Sequence, residues 1–293
     1  MKQIVILSGK GGTGKTTVAA ALAHLASQEA SIVLADADVD AANLELLLAP
    51  RLLEEHDFIA GKLAVIEPEL CTGCGLCAEV CRFEAVQPPS SSKAETYVID
   101  PIACEGCAVC YYQCPAEAIR LEEPVAGRWF RSETRFGPLF HAHLFAGQEN
   151  SGKLVAMVKQ SARLLALEQG SRYLLVDGPP GIGCPVIASL TGADLTLLVT
   201  EPTVAGTHDL ERALGLASHF RVPAVVCINK YDLSLTKSQE IANYCAARGL
   251  ELVGQIPFAP VVTEAMVRGL PVTEFEAGPV KEALCQIWVR LRI

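Results

Sequence analysis

The sequence predicts an α/β protein with a doubly wound, mostly parallel sheet and a second, smaller α+β domain inserted into it. Short apolar runs alternate with helix-length segments along most of the 293 residues, and strands of that kind are typical of a parallel sheet covered on both faces. A cysteine-rich region interrupts this alternation between residues 62 and 123. We therefore expect a discontinuous main domain, at 1–61 and 124–293, and an inserted domain at 62–123.

The composition excludes several classes of protein. A chain with 51% hydrophobic and 19% charged residues can bury a conventional core. The net charge of −9 argues against a general nucleic-acid binder, because contacts to phosphates need clustered positive charge. No apolar run approaches the length of a membrane span, and the first strand begins without a cleavage-type signal. We expect a cytoplasmic protein that binds neither nucleic acid nor membrane.

The elements of the main domain follow the apolar runs. Residues 3–7 predict the first strand, and the alanine-rich residues 15–29 predict the helix after it. The second strand is expected at 31–35, ending at acidic residues. Later runs predict strands at 173–176, 195–200, 224–228 and 252–256, with helices near 153–168, 206–219 and 236–248. Residues 127–150 show little periodicity, and we expect a returning loop there.

A glycine-rich loop follows the first strand. It fits both the dinucleotide pattern Gly-x-Gly-x-x-Gly and the triphosphate pattern Gly-x4-Gly-Lys-Thr, and Asp36 stands where a dinucleotide fold would place its acid. Lys15 and Thr16 favour a nucleoside triphosphate, whose phosphates need a cation and whose Mg²⁺ needs a hydroxyl. The expected nucleotide-binding residues of the loop are Gly9, Lys10, Gly11, Gly12, Thr13, Gly14, Lys15, Thr16 and Thr17.

Acidic residues follow two of the predicted strands. Asp36 and Asp38 come after the second strand, and Asp177 ends the apolar run 174–176. The carboxyl ends of parallel strands meet at one edge of the sheet, where ligands of open α/β folds bind. We therefore expect Asp177 to be a metal-binding acid and one of the other two to orient the attacking water. Asp40 is interpreted as a solvated turn or helix-cap acid.

Lys10 in the loop, Asp-Ala-Asp at 36–38 and Asp-Gly-Pro-Pro-Gly at 177–181 resemble the deviant Walker A ATPases of the MinD, ParA, Mrp and nitrogenase iron-protein superfamily. The resemblance covers the chain outside the insertion. It implies a P-loop NTPase fold, ATP hydrolysis and an ATP-dependent homodimer. In that dimer Lys10 would reach the phosphates of the partner subunit.

The same resemblance assigns roles at the nucleotide. Lys15 and Thr16 become phosphate and Mg²⁺ ligands, and Asp38 becomes the residue that orients the water. Asp36 and Asp177 complete the magnesium sphere. The catalytic residues are thus Lys10, Lys15 and Asp38.

The identity of the base depends on a second motif. Asn229-Lys230-Tyr231-Asp232 resembles the guanine-binding Asn-Lys-x-Asp sequence of GTPases and by itself favours GTP. The loop with two lysines is the more specific motif, and its family often keeps Asn-Lys here while binding ATP. We therefore favour ATP, with Asn229 on the adenine, and interpret Lys230 and Asp232 as structural.

Eight of the 12 cysteines form two runs of Cys-x2-Cys-x2-Cys-x3-Cys, repeated with a period of 33 residues. This is the spacing of bacterial ferredoxins, in which the fourth cysteine of each run binds the other cluster. Zinc is the alternative, but its structural sites usually use separated cysteine pairs. We assign one [4Fe–4S] cluster to Cys71, Cys74, Cys77 and Cys114, and a second to Cys81, Cys104, Cys107 and Cys110.

Three further features have ordinary interpretations. The cysteines outside the runs, Cys184, Cys227, Cys245 and Cys285, are expected in the core, with Cys184 the one worth testing for redox chemistry. His141 and His143 could suggest a metal pair, but with no third ligand nearby they are interpreted as loop or packing residues. Residues 279–293 predict an amphipathic helix that docks on the core; a membrane anchor would look similar.

The whole chain resembles MinD-superfamily ATPases that contain an inserted ferredoxin domain. The first hypothesis is an ATPase that gates electron transfer through two [4Fe–4S] clusters to a redox partner protein. The alternative is a carrier that delivers Fe–S clusters, as the related Mrp-type ATPases do. Complete four-cysteine sets within one insertion favour electron transfer, because a carrier should hold an exchangeable cluster on few, exposed cysteines.

Overall fold

The computed structural model describes residues 1–89, 96–148, 151–275 and 277–292. Contacts within the chain divide it into two compact units. The main unit comprises Met1–His56, Trp129–His143 and Ser151–Ile293, and the cysteine unit comprises Asp57–Arg128 and Leu144–Asn150. The three consecutive serines after Pro89 lie outside the described residues.

The strands are, in chain order, β1 (Lys2–Ser8), β2 (Ile32–Asp36), β3 (Arg51–Ile59), β4 (Leu63–Ile66), β5 (Val86–Gln87), β6 (Val98–Ile99), β7 (Ile119–Glu122), β8 (Val125–Thr134), β9 (Gly137–Leu144), β10 (Tyr173–Pro180), β11 (Leu195–Thr200), β12 (Ala224–Asn229) and β13 (Leu252–Ile256). The α-helices are α1 (Lys15–Ser27), α2 (Leu44–Leu48), α3 (Leu76–Glu79), α4 (Val109–Gln113), α5 (Ser151–Glu168), α6 (Cys184–Leu190), α7 (Val204–His219), α8 (Leu235–Ala247), α9 (Pro260–Val267), α10 (Val272–Phe275) and α11 (Pro279–Leu291). A short 3₁₀ helix spans Tyr231–Leu233.

The main sheet has the strand order β13-β12-β11-β1-β10-β2-β9-β8-β3. Each neighbouring pair from β13 to β9 is parallel. The central strands β1, β2 and β10 are buried along almost their whole length, as expected for apolar strands covered on both faces. The expectation of an α/β fold with a mostly parallel sheet is confirmed.

The expectation of a loop at 127–150 was wrong. Most of this segment forms β8 and β9, which extend the sheet beyond β2, and β3 adds a further edge strand; residues 149 and 150 lie outside the described part. Strands β3 and β8 carry several charged residues, and β3 is exposed almost throughout, so apolar periodicity does not reveal them. Cross-strand ion pairs such as Arg131 to Glu54, at 2.8 Å, accompany the backbone pairing.

The C-terminal helix α11 docks on the core, as the sequence predicts. Its apolar stripe, including Leu284, Ile287 and Trp288, is buried in the hydrophobic core of the main unit. Among the described residues no helix is both long and apolar enough to cross a membrane.

The cysteines outside the two runs differ in burial. Cys227 and Cys245 are buried, and Cys285 packs against the core. Cys184 is exposed, so its assignment to the core was wrong. The reason is local: Cys184 begins α6 directly after Gly183, where the chain has left β10 and the buried sheet.

The cysteine unit contains two small antiparallel sheets, β4 with β7 and β5 with β6, and the short helices α3 and α4. Its backbone repeats with the 33-residue period of the cysteines. Left-handed φ values occur in matching pairs, Gly73 (68°) with Gly106 (61°), Gly75 (78°) with Ala108 (62°) and Glu84 (52°) with Glu117 (49°). The sequence repeat is therefore also a repeat of backbone conformation.

Candidate nucleotide site and candidate metal centre

The nucleotide site lies at the carboxyl edge of the main sheet. Strand β10 lies between β1 and β2, and Asp177 is in register with Asp36 on the neighbouring strand and with Ile6 on the other. Parallel pairing thus brings the acids of two strands beside the loop that follows β1. The acids of these two strands therefore lie together at one edge of the sheet, as expected from the sequence.

The glycine-rich loop is shaped by close contacts. Gly14 has a φ of 87°, and a Cβ there would lie 2.2 Å from Nδ2 of Asn229. A Cβ on Gly9 would lie 2.4 Å from Cβ of Asp209, within α7. Only glycine fits either position, so the loop can wrap closely around the N-terminus of α1, a site that favours anions.

Lys15 is the buried cation of this site. Its side chain is 6% exposed, and Nζ lies 2.6 Å from Oδ1 of Asp177 and 3.8 Å from Oδ2 of Asp38. Burial by itself would lower the pKa of Lys15, but the charge and hydrogen bond of Asp177, with the other acids, raise it. Lys15 therefore carries its charge at the end of the loop, where a phosphate would need it.

Negative charge is concentrated around this lysine. Asp36 is fully buried, and its oxygens accept hydrogen bonds from the backbone N–H groups of Asp38 (3.1 Å) and Leu44 (3.0 Å). Burial, followed by the charge of Asp177, raises the pKa of Asp36. Burial also raises the pKa of Asp38, to about 6. Three carboxylates beside one lysine form an arrangement that a divalent cation would stabilise.

The donor set fits a magnesium nucleotide. Among the described residues, Oδ2 of Asp177 and Oγ1 of Thr13 are buried without a hydrogen-bond partner. A cavity of about 850 Å³ opens beside the loop, within the size range of small-molecule sites. Its lining includes Gly11, Gly12, Thr13, Gly14, Lys15, Thr16, Thr17, Asp38 and Asn229.

Lys10 has a partner that sequence reasoning missed. Its Nζ lies 2.5 Å from Oε1 of Glu201, which directly follows β11. Burial opposes ionisation of Glu201, but the hydrogen bond and charge of Lys10, with the charge of Lys230, lower its pKa. No local motif marks Glu201, because only the pairing of β11 with β1 brings it to the loop.

Asn229 holds the loop in place. Its Nδ2 donates a hydrogen bond to the carbonyl of Thr13 at 2.7 Å, and Nζ of Lys230 donates to the carbonyl of Gly12 at 3.2 Å. Oδ1 of Asp232 accepts a hydrogen bond from the backbone N–H of Phe258 at 2.7 Å. Lys230 and Asp232 thus make structural contacts, as their sequence interpretation expects.

One group of cysteines combines residues from both runs. Cys71, Cys74 and Cys77 line one pocket of the cysteine unit together with Cys114 of the second run. Burial raises the pKa of Cys77, and the charges of Cys71 and Cys74 raise it further. The backbone N–H of Ala118 donates to Sγ of Cys114 at 3.4 Å. Four cysteines that line one pocket, with a backbone N–H donor to one of the sulfurs, fit an iron–sulfur cluster.

The second run has the equivalent local arrangement. Burial raises the pKa of Cys110, and the charges of Cys104 and Cys107 raise it further. These three thiols therefore lie close enough to interact, as their counterparts in the first run do.

Known proteins resemble this chain over most of its length. The CobQ/CobB/MinD/ParA nucleotide binding domain family matches residues 4–272. An uncharacterized protein of Methanocaldococcus jannaschii is 35% identical over 235 residues, covering 79% of this chain and 79% of that protein. The iron-sulfur cluster carrier protein of Pyrococcus horikoshii is 23% identical over 306 residues, covering 99% of this chain and 85% of that protein.

A solved structure shows the same fold. The septum site-determining protein MinD of Pyrococcus horikoshii, complexed with Mg-ADP, matches with a TM-score of 0.60 at 17% identity, covering 99% of this chain and 95% of that chain. The residues matched by the family include the glycine-rich loop and the acids at the sheet edge. The chain therefore belongs to the CobQ/CobB/MinD/ParA nucleotide-binding family.

Proposed function

We propose that this ATPase of the MinD/ParA family couples its nucleotide state to electron transfer through two [4Fe–4S] clusters. The observation that carries the proposal is the shared pocket of Cys71, Cys74, Cys77 and Cys114, because it joins three cysteines of one run to the last cysteine of the other. In ferredoxins with two clusters, the fourth cysteine of each run typically binds the cluster of the other run. A zinc site formed by each run separately would not require a cysteine from the other run.

The nucleotide half of the proposal uses the edge of the main sheet. Lys15 and the loop N–H groups bind the phosphates of ATP, and Thr16 and Asp177 bind Mg²⁺. The unpartnered, buried Oδ2 of Asp177 supports the last assignment. Asp36, whose oxygens already accept two backbone hydrogen bonds, completes the magnesium sphere from further away. Asp38, partly exposed in the cavity, accepts the proton of the attacking water.

ATP is the favoured nucleotide. In GTPases the aspartate of the Asn-Lys-x-Asp motif binds the guanine, but here Oδ1 of Asp232 is occupied by the backbone N–H of Phe258. Asn229 uses one hydrogen of its amide for the loop, which leaves the second for an adenine nitrogen. With its two amide hydrogens, Asn229 can therefore hold the glycine-rich loop and bind the adenine at the same time.

The cluster half of the proposal uses the cysteine unit. One cluster is held by Cys71, Cys74, Cys77 and Cys114, and the other by Cys81, Cys104, Cys107 and Cys110. The repeated backbone conformation supports the second set, because it makes the two runs equivalent. A bound [4Fe–4S] cluster supplies one-electron chemistry at low potential. We assign this function to a ferredoxin-like domain at 62–123, inserted between ATPase segments 1–61 and 124–293.

The ATPase is proposed to act as an ATP-dependent homodimer in which Lys10 reaches the nucleotide of the partner subunit. The exposure of Lys10 supports this role, since 34% of its side chain faces solvent while Lys15 is buried. The ion pair with Glu201 holds Lys10 on its own subunit, and we infer that ATP binding by the partner breaks it. An electron acceptor protein completes the proposed cycle.

A second candidate function is delivery of whole Fe–S clusters to other proteins. The likeness to the iron-sulfur cluster carrier protein of Pyrococcus horikoshii favours it. A carrier must release its cluster, whereas six of the eight cysteines here are partly buried and only Cys74 and Cys107 are exposed. We therefore rank electron transfer first.

Anaerobic purification with iron and zinc analysis, followed by EPR of the dithionite-reduced protein, tests the proposal. We expect about eight iron atoms per chain and the spectrum of two interacting reduced clusters. Cys114→Ser should damage the cluster of Cys71, and Cys81→Ser should damage the other, while the exposed Cys184→Ser control keeps both. Zinc in place of iron, or about four iron atoms, would contradict it. Transfer of intact clusters to an apoprotein, with no reversible reduction, would favour the carrier.

A further inference from the structure

A second group of metal-ligating side chains lies in the main unit, apart from the cysteines. His141 and His143 alternate on β9 and so lie on the same face of that strand. Glu45 of α2 faces them, and one ligand atom from each of the three side chains lies within 4.8 Å of the others. The expectation that no third ligand lies nearby was therefore wrong, and both histidines lie on a strand and not in a loop; the buried ring of His141 agrees with the packing role that was expected as the other possibility.

The distances suit one metal ion. Nδ1 of His141 lies 3.1 Å from Oε2 of Glu45, and Nε2 of His143 lies 3.7 Å from Oε1. Ligand atoms that share a metal at about 2.0–2.1 Å lie roughly 3.0–3.5 Å from one another. Only small rotations of the more exposed side chains would complete the site.

The buried, unpartnered ring nitrogen of His141 indicates that this group of side chains binds a ligand. The residue is 5% exposed, and its Nδ1 has no hydrogen-bond partner within the described ranges. Its Nε2 is 3.0 Å from Oγ of Ser132, and Phe130 stacks on the ring. Metal-binding histidines commonly donate a hydrogen bond from the ring nitrogen that does not bind the metal, which fixes the tautomer and the orientation. Ser132 can accept that bond, leaving the lone pair of Nδ1 free for a metal.

We propose that Glu45, His141 and His143 bind a divalent transition-metal ion, with Zn²⁺ the ion that two imidazoles and one carboxylate fit best. Such a donor set leaves at least one coordination position for water or another ligand. His143 and Glu45 are 43% and 28% exposed, so solvent can reach the metal. The site shares no residue with the nucleotide and cluster proposals, and its test uses the chain whose cysteine runs already hold iron.

The metal would tie α2 to β9. The backbone N–H of Leu44, the residue before Glu45, donates to Oδ2 of the nucleotide-site acid Asp36. Fixing α2 through Glu45 therefore also stabilises the position of that acid. This gives the site a structural role that does not require any reaction at the metal.

Zinc binding to the full chain with its iron in place tests the proposal. One equivalent of Zn²⁺ is added, the affinity is measured against a competing chelator, and the ligands are identified by X-ray absorption at the zinc edge. We expect nitrogen and oxygen ligands, including two imidazoles, without sulfur. Glu45→Gln and His143→Ala should each lower the affinity at least about 10-fold.

The matched control is His56→Ala, because His56 lies 3.3 Å from Glu54 on β3 but belongs to no three-ligand group among the described residues. Thermal unfolding without added metal checks that the variants remain folded; His143 and Glu45 are exposed enough to be replaced. Sulfur in the zinc shell, unchanged affinity in both variants, or no binding by the wild type would overturn the proposal. None of these readouts depends on ATP hydrolysis or cluster reduction.

Discussion

The nucleotide edge of the main sheet and the cysteine unit are held together in different ways. At the nucleotide edge Asp36 ends β2, Asp177 lies on β10 and Lys15 begins α1, and these elements are buried in a large apolar core. In the cysteine unit the helices α3 and α4 have no buried residue, and most of the buried apolar residues described there are alanines. The first site is therefore formed by the protein before its ligand binds, whereas we infer that the second is completed by its ligand.

Removal of iron should give the largest effect, which is the unfolding of the cysteine unit while the main unit stays folded. A unit with so small a core needs a metal or another cross-link to stay folded. We expect hydrogen exchange to show loss of protection throughout 62–123 in the iron-free chain, while β1, β2 and β10 stay protected and MgADP still binds. Protection of 62–123 that persists without iron would show that the two regions do not differ in this way.

Lys15→Ala tests whether the nucleotide site, which is formed before its ligand binds, depends on its buried cation. The variant removes the cation for the phosphates and leaves Asp177 and Asp36 buried without it. Removing one partner of a buried charge pair between protein and ligand costs about 3–4 kcal/mol of binding, so ATP affinity measured by calorimetry should fall about 10²–10³-fold. Lys237→Ala, which changes an exposed lysine of α8, is the control and should bind normally. Equal affinity in both variants would contradict the role of Lys15.

Asp38→Asn should separate binding from hydrolysis. The amide cannot accept the proton of the attacking water, so kcat should fall about 10²-fold while ATP affinity changes little. Because burial raises the pKa of Asp38 to about 6, wild-type kcat should also fall as the pH decreases through 6, where the carboxylate gains a proton. Asp40→Asn, on the same segment, is the matched control. A kcat that does not change with pH in this range would exclude Asp38 as the base.

Glu201→Gln should give the smallest effect, a modest change in the affinity of the ATP-dependent dimer. The pair of Lys10 and Glu201 is partly exposed, and such pairs contribute up to about 1 kcal/mol. Freeing Lys10 should therefore strengthen the ATP-dependent dimer by up to about fivefold in sedimentation experiments with a slowly hydrolysed analogue. Lys10→Ala should abolish the dimer, and Glu211→Gln, which loses an exposed pair with Arg248, should leave it unchanged. A weaker dimer in Glu201→Gln would contradict this account of Lys10.

The two regions also differ in how far the sequence predicts them. Strand β11 was predicted at its observed bounds, because its mostly apolar residues are buried in the sheet. Strands β3 and β8 were not predicted, because β3 is an exposed edge strand and β8 beside it carries charged residues among its apolar ones, so neither shows a continuous apolar run. The acids of the nucleotide site were predicted together, since parallel strands end at one edge.

Contacts between distant parts of the chain were not predicted. Glu201 reaches Lys10 through the pairing of β11 with β1, and Glu45 reaches His141 through the packing of α2 near β9. Neither acid stands in a motif, so its role follows only from the folded structure. The cysteine spacing is different, because the chemistry of a cluster restricts the positions of its ligands within a short segment.

The most direct test of coupling between the two regions is an anaerobic redox titration with MgATP or MgADP bound. Linkage requires that a nucleotide which shifts the cluster potential also binds the oxidised and reduced protein with different affinity. A fivefold coupling or more corresponds to a shift of about 40 mV or more for one electron. We predict such a shift in the wild type and its loss in Lys15→Ala. Identical wild-type potentials with MgATP and MgADP would contradict nucleotide-gated electron transfer.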